Sequence, residues 1–135
     1  MNLAFDDFNE LRALHLTLCE AKFHPDSHRK EIQGSPLVAR TANRVYDLLI
    51  DNSATQDEAE EWRVHRQLAD NYYIFPFIER KACESFDDHP EWTLEDRQRF
   101  LADLAAPYSL SEALIERLTQ TPGNEDTEQD VDPNA

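Results

Sequence analysis

Three features of the sequence predict an all-α fold, read as an irregular four- or five-helix bundle. Apolar residues recur at three- and four-residue steps in each segment that also carries helix-type ends. No segment alternates at period two, as a half-buried strand would. Only 2 of the 135 residues are glycine, too few for a turn-dense β architecture. One domain is expected over residues 1–120, followed by a disordered acidic tail over residues 121–135.

The first helix is expected from about Asp7 to Phe23. Asp7 and Glu10 stand three apart, the spacing of a capping box that satisfies exposed N–H groups. Phe8, Leu11, Leu14 and Leu18 form its apolar stripe, which Leu16, Cys19 and Phe23 broaden. Pro25 disfavours helical geometry at His24 and ends it. After a polar connection, Ser35-Pro36 supplies a cap followed by proline at the first helical position. Val38, Ala42, Val45, Leu48 and Leu49 carry the second helix to Asn52-Ser53.

The third helix opens at Thr55 with Glu58 three residues on. Asp57, Glu58, Glu60 and Glu61 sit in its first turns, where the helix dipole favours negative charge. Trp62, Val64, Leu68, Tyr72 and Phe75 are expected to face inward. Pro76 would remove a backbone donor and clash with the carbonyl of Tyr72, so this third helix is expected to kink or break there. It should resume through Ile78, Ala82 and Phe86 to a loop at Asp87-Asp88-His89-Pro90. The fourth helix starts at Thr93, with Asp96 completing a box, carries Leu94, Leu101, Leu104 and Ala105, and stops before Pro107. The fifth is expected from Ser109, with Glu112 three residues later, through Leu110, Leu114, Ile115 and Leu118 to Pro122-Gly123. Thr121 to Ala135 holds five acids, no Lys or Arg and one branched aliphatic, Val131. Such a composition cannot repay the entropy of ordering.

Charge narrows the function classes. There are 28 acidic and 13 basic residues, a formal net charge of −15, of which five belong to the tail. This balance argues against direct binding to nucleic acid or to anionic membranes. The start Met1-Asn2-Leu3-Ala4-Phe5-Asp6-Asp7 lacks the basic and apolar regions of a signal peptide, and no run approaches the ~20 apolar residues that span a bilayer. A cytoplasmic location is therefore expected, with Cys19 and Cys83 reduced. An acidic surface can serve solubility or salt adaptation, dock a basic partner, or stand in for nucleic-acid phosphates. Arg40, Arg44, Arg63, Arg66, Arg97 and Arg99 interrupt the negative field that such mimicry needs.

Motifs for chemistry are sparse. His15 and Cys19 share a helix face, as do Glu61 and His65, and the four could supply metal ligands from two helices. The spacing is not the Glu-x-x-His of di-iron bundles. Cys19 also sits in an apolar stripe, where a small buried thiol is ordinary. His24 and His28 flank a Pro-Asp-Ser loop and are read as solvated. Ser35, Ser53 and Ser109 have structural explanations as caps or turn residues, and neither cysteine lies in an activating motif. No catalytic residue, metal ligand or cofactor is assigned, and the chain is read as a non-enzyme.

The segment Tyr72-Tyr73-Ile74-Phe75-Pro76-Phe77-Ile78 stands out, with four of the thirteen aromatics. A wholly apolar helix is normally core. A kink could instead expose one side, and rigid aromatics anchor interfaces well. Tyr72, Tyr73, Phe75, Phe77 and Trp92 are therefore the candidate protein-interaction residues. The expected function is binding of another protein, basic in one reading, as adaptor, inhibitor or regulator; a homodimer is compatible. The alternatives are a nucleic-acid mimic that inhibits a DNA- or RNA-binding protein, and a metal-binding or catalytic bundle.

Overall fold

A computed structural model describes residues 3–26 and 29–120. Segment 121–135, expected as the disordered tail, lies outside the described residues, as does His28. The described residues form six α-helices: α1 (Phe8–Phe23), α2 (Pro36–Asp51), α3 (Gln56–Arg66), α4 (Phe75–Asp88), α5 (Leu94–Ala105) and α6 (Glu112–Thr119). A single 3₁₀ turn at Lys30–Ile32 precedes α2. No described residue belongs to a β-strand; one isolated parallel bridge joins Gln67 to Ser109. No described helix is long and apolar enough to cross a membrane.

The caps explain where most helices start. Asp7 accepts from the Glu10 N–H at 2.9 Å, and Ser35 accepts from Val38 with proline behind it in the first turn. Thr55 accepts from Glu58 at 3.1 Å, while the Glu58 carboxylate reaches back to the Ala54 N–H at 2.6 Å. At α5 both halves of the capping box close, Thr93 to Asp96 and Asp96 to Thr93, each at 3.1 Å.

Two expectations are corrected. The four- or five-helix count becomes six, because the expected third helix is two helices rather than one kinked at proline. The α3 ladder stops at Arg66, whose carbonyl accepts from Ser109 N–H at 2.7 Å, while Leu68 N–H donates to the Ser109 carbonyl at 2.9 Å. Turns follow, with Tyr72 N–H on Ala69 and Phe75 N–H on Tyr72, and α4 begins. Pro76 occupies the first turn of α4, where a missing N–H costs nothing and its fixed φ suits the start. The same bridge moves the start of α6: Ser109 is engaged in it, so Ser111 is the cap, accepting from Leu114 N–H at 3.1 Å.

The interior has two apolar clusters. One joins Leu11, Val45 and Leu49 with Phe8, Leu14, Leu18 and Trp62 packed against them, between α1, α2 and α3. The larger one gathers Phe23, Phe77, Ile78, Phe86, Leu101 and Leu118, among others, from α4, α5, α6 and the end of α1. Helix α2 packs on α1, α3 and α5, while α4, α5 and α6 pack on one another. Lys22 braces the two halves. Its side chain is fully buried, and Nζ donates to the carbonyls of Gln33 (3.1 Å) and Asp103 (2.8 Å), the latter in the last turn of α5.

Candidate functional site

Where the two clusters meet, the filling is aromatic. Helix geometry places His15 and Cys19 one turn apart on α1, facing Tyr46 of α2 and Trp62 of α3. The His15 ring meets Tyr46 at 5.2 Å and Trp62 at 5.8 Å, both nearly perpendicular. Tyr46 meets Trp62 at 5.5 Å and 87°, and its hydroxyl donates to the Trp62 carbonyl at 2.6 Å. Tyr108, from the α5–α6 connection, continues the row to Tyr46 (6.3 Å) and to Tyr72 (5.8 Å), and Tyr72 contacts Tyr73 at 4.9 Å. Edge-to-face pairs of this kind are favoured by the ring quadrupoles.

Arg66 holds this seam from behind. Its guanidinium lies 4.8 Å over the Tyr46 ring and donates to the Pro107 carbonyl (2.8 Å), to Asp47 (2.7 Å) and to Asn43 Oδ1 (3.1 Å). One side chain thus ties α3 to α2 and to the α5–α6 connection. The Ala106–Pro107 peptide within that connection is cis.

Burial shifts several titratable groups of the seam. Cys19 Sγ lies 3.8 Å from His15 Nδ1 and 4.0 Å from Tyr108 Oη. Burial pushes the Cys19 thiol up to about 11, and burial together with the nearby Arg12 lowers the His15 pKa. A thiolate–imidazolium nucleophile requires the thiol shifted the other way. This Cys–His pair is therefore a packed thiol beside a neutral ring. Burial also pushes Tyr46 up to about 12. Among the described residues, no group of three His, Cys, Asp or Glu side chains converges as metal ligands, so Glu61 and His65 do not complete a set with His15 and Cys19.

The seam opens to the surface through two clefts flanking Leu16. The first, of about 340 Å³, lies between α1 and α3. Trp62, Tyr46 and Tyr108 are among its walls, Tyr72 and Val64 stand at its sides, and Arg12, His65 and Gln67 are the polar residues around it. The second, of about 510 Å³, runs between the C-terminal half of α1 and the start of α4, with Tyr73, Pro76 and Arg80 on one side and Glu20 and His24 on the other. Leu16 lines both clefts and is 51% exposed, Val64 59%, Tyr72 38% and Tyr73 78%. Leu16 and Val64 were expected to face inward and instead face solvent.

The five candidate interaction residues separate. Tyr72 and Tyr73 lie at this surface. Phe75 (2% exposed) and Phe77 (6%) are core, because α4, which carries both in its first turn, directs them toward α6 and α1. Phe77 meets Phe23 at 6.1 Å, and the guanidinium of Arg117 covers Phe75 at 5.2 Å. Trp92 is half-buried elsewhere, packed on Phe100 (5.2 Å) and stacked on His89 (4.4 Å) where α4 hands over to α5. Sequence reasoning overlooked Tyr46, Arg66 and Tyr108. Tyr46 stands four residues after Ala42 and shares its helix face, a signal that would have placed it inside. Tyr108 follows Pro107 in a connection, where periodicity gives no guide. Comparison with protein-family models, with curated proteins and with solved structures finds no match for this chain.

Proposed function

We propose that the protein works by binding another protein through the surface formed by α1, the end of α3 and the α3–α4 connection. The observation that carries this reading is the grouping of Leu16, Val64, Tyr72 and Tyr73, each more than a third exposed, around two adjoining clefts. Scattered exposed apolar side chains need no explanation, but a contiguous group rimmed by polar residues marks an interaction site. Tyrosine suits the role, since its ring buries a large area at low entropic cost and its hydroxyl stays satisfied at the edge. Burial raises the pKa of the Cys19 thiol beneath, which argues against its use as a nucleophile.

The experiment compares surface variants that leave the core intact. Leu16→Ser and Tyr73→Ser are expected to abolish the association of the full chain with its partner in quantitative affinity capture. Leu37→Ser and Leu94→Ser, equally exposed but outside both clefts, should leave it unchanged. Equal behaviour of the two pairs of variants overturns the proposal.

A further inference from the structure

We propose that the cleft between α1 and α3 receives an acidic segment of the partner protein. One apolar side chain of that segment seats against Trp62, Tyr72 and Tyr108, and its carboxylates face Arg12 and His65. The inference rests on reading this surface as a protein-binding one and adds the chemistry of what binds.

Charge is the first argument. No carboxylate among the described residues lines this cleft, whose ionisable residues are Arg12, two histidines and three tyrosines of the aromatic seam. Two carboxylates adjacent in sequence to cleft residues are paired with arginines. Asp47 pairs with Arg66 at 2.7 Å, and Asp70 pairs with Arg117 at 3.5 Å. Arg12 is exposed and forms no ion pair with another described residue, so its charge is available to a ligand. On a molecule of net −15, a cleft that no carboxylate among the described residues lines is a local reversal, and complementary potential selects partners.

Shape and preorganisation are the second. The cleft holds about 340 Å³, within the ~300–1,000 Å³ of ligand-binding clefts. Its floor is already fixed, because the Tyr46 hydroxyl is satisfied by the Trp62 carbonyl and the Tyr46 ring is held by Arg66. A rigid aromatic floor binds an apolar side chain with little ordering cost. The same geometry disfavours a cationic guest. The Arg66 guanidinium already occupies a face of Tyr46, and Arg12 at the edge would repel a second cation.

The test uses full-length protein and three fluorescein-labelled, end-capped peptides with the same central Phe-Leu pair, flanked by glutamates, by glutamines or by lysines. Fluorescence anisotropy at low ionic strength is expected to show the glutamate peptide binding about tenfold more tightly than the glutamine peptide, with the lysine peptide weakest. Added salt should erode that advantage. Arg12→Gln should reduce it to about threefold or less while leaving the glutamine peptide unaffected. Tyr72→Ser should weaken both. Equal affinity for the glutamate and glutamine peptides, tightest binding of the lysine peptide, or no binding of any peptide overturns the inference. If Leu16→Ser still abolishes partner association while glutamates confer no advantage, the protein-binding reading stands and this one falls. If the glutamate preference appears while Leu16→Ser and Tyr73→Ser leave association intact, the protein-binding reading falls and this inference, which assigns the cleft to a partner segment, falls with it.

Discussion

Raising the pH through the alkaline range should first stabilise this protein, because of Lys22. Its side chain is fully buried, and burial lowers its pKa from 10.5 to about 8, with Asp103 and Cys19 drawing it partly back. Between those values the unfolded chain still carries a proton that the folded chain has shed. The unfolded state therefore binds more protons, and stability rises with pH. At about 1.4 kcal/mol per pH unit, the interval amounts to about 3 kcal/mol from this one residue. The two hydrogen bonds to Gln33 and Asp103 survive, since a neutral amine keeps two donors. Cys19 and Tyr46 act in the opposite sense. Their pKa values are raised, from 9.0 to about 11 and from 10.0 to about 12, so each holds a proton that the unfolded chain loses. Cys19 opposes the gain above pH 9 and Tyr46 above pH 10, with Tyr108, also raised, adding to the fall. The expected profile gains somewhat less than about 1 kcal/mol between pH 8 and 9, levels off to about pH 10, and then declines. Urea denaturation followed by far-ultraviolet circular dichroism under reducing conditions measures it. Lys22→Met should lack the rise, so wild type should gain about 3 kcal/mol on the variant between about pH 7 and about pH 10.5. Parallel profiles for the two proteins would refute the reasoning.

Arg66→Met leaves the carbonyl of Pro107 and the Asp47 carboxylate without their donor and should cost about 2–4 kcal/mol in chemical denaturation; Arg66→Lys should recover less than half, since an ammonium cannot span the same acceptors. Pro76→Ala should change stability by no more than about 1 kcal/mol, because proline stands in the first turn of α4; a gain near 3 kcal/mol on thermal unfolding would restore the kinked-helix reading. Thr93→Ala breaks the closed capping box of α5 and should cost about 1 kcal/mol, visible as a lowered melting temperature.

The fold was legible wherever the signal was local. Asp7, Ser35, Thr55 and Thr93 each cap a helix as their spacing indicates, since a cap is decided within four residues. The division between α3 and α4 was not legible, because the group that ends α3 is the Ser109 backbone, more than forty residues away in sequence. Pro76 is compatible with either a kink or a start. Only the distant pairing decides, and it shifted the cap of α6 from Ser109 to Ser111 for the same reason. Lys22 was hidden likewise: a lysine in the last turn of a helix reads as solvated until the carbonyls of Gln33 and Asp103 arrive around it.

The aromatic segment shows why the site was only half visible. Tyr72, Tyr73, Phe75 and Phe77 form one cluster in sequence, but a turn separates the first pair from the helix that carries the second. Phe75 and Phe77 point into the α4–α6 cluster, while the tyrosines remain outside. Composition identified the place where the chain meets its surface, and topology chose which rings reach it. The same topology brings Leu16 and Val64, two residues a helical stripe would bury, beside the tyrosines. Where two small cores abut, neither helix face is buried along its whole length, and Leu16 and Val64 are among the apolar residues left exposed. The exposed apolar group around the two clefts therefore follows from the seam between the two halves. A substitution that shifts α1 against α4, such as Phe23→Ala, should alter binding and stability together, whereas Tyr73→Ser should alter binding alone.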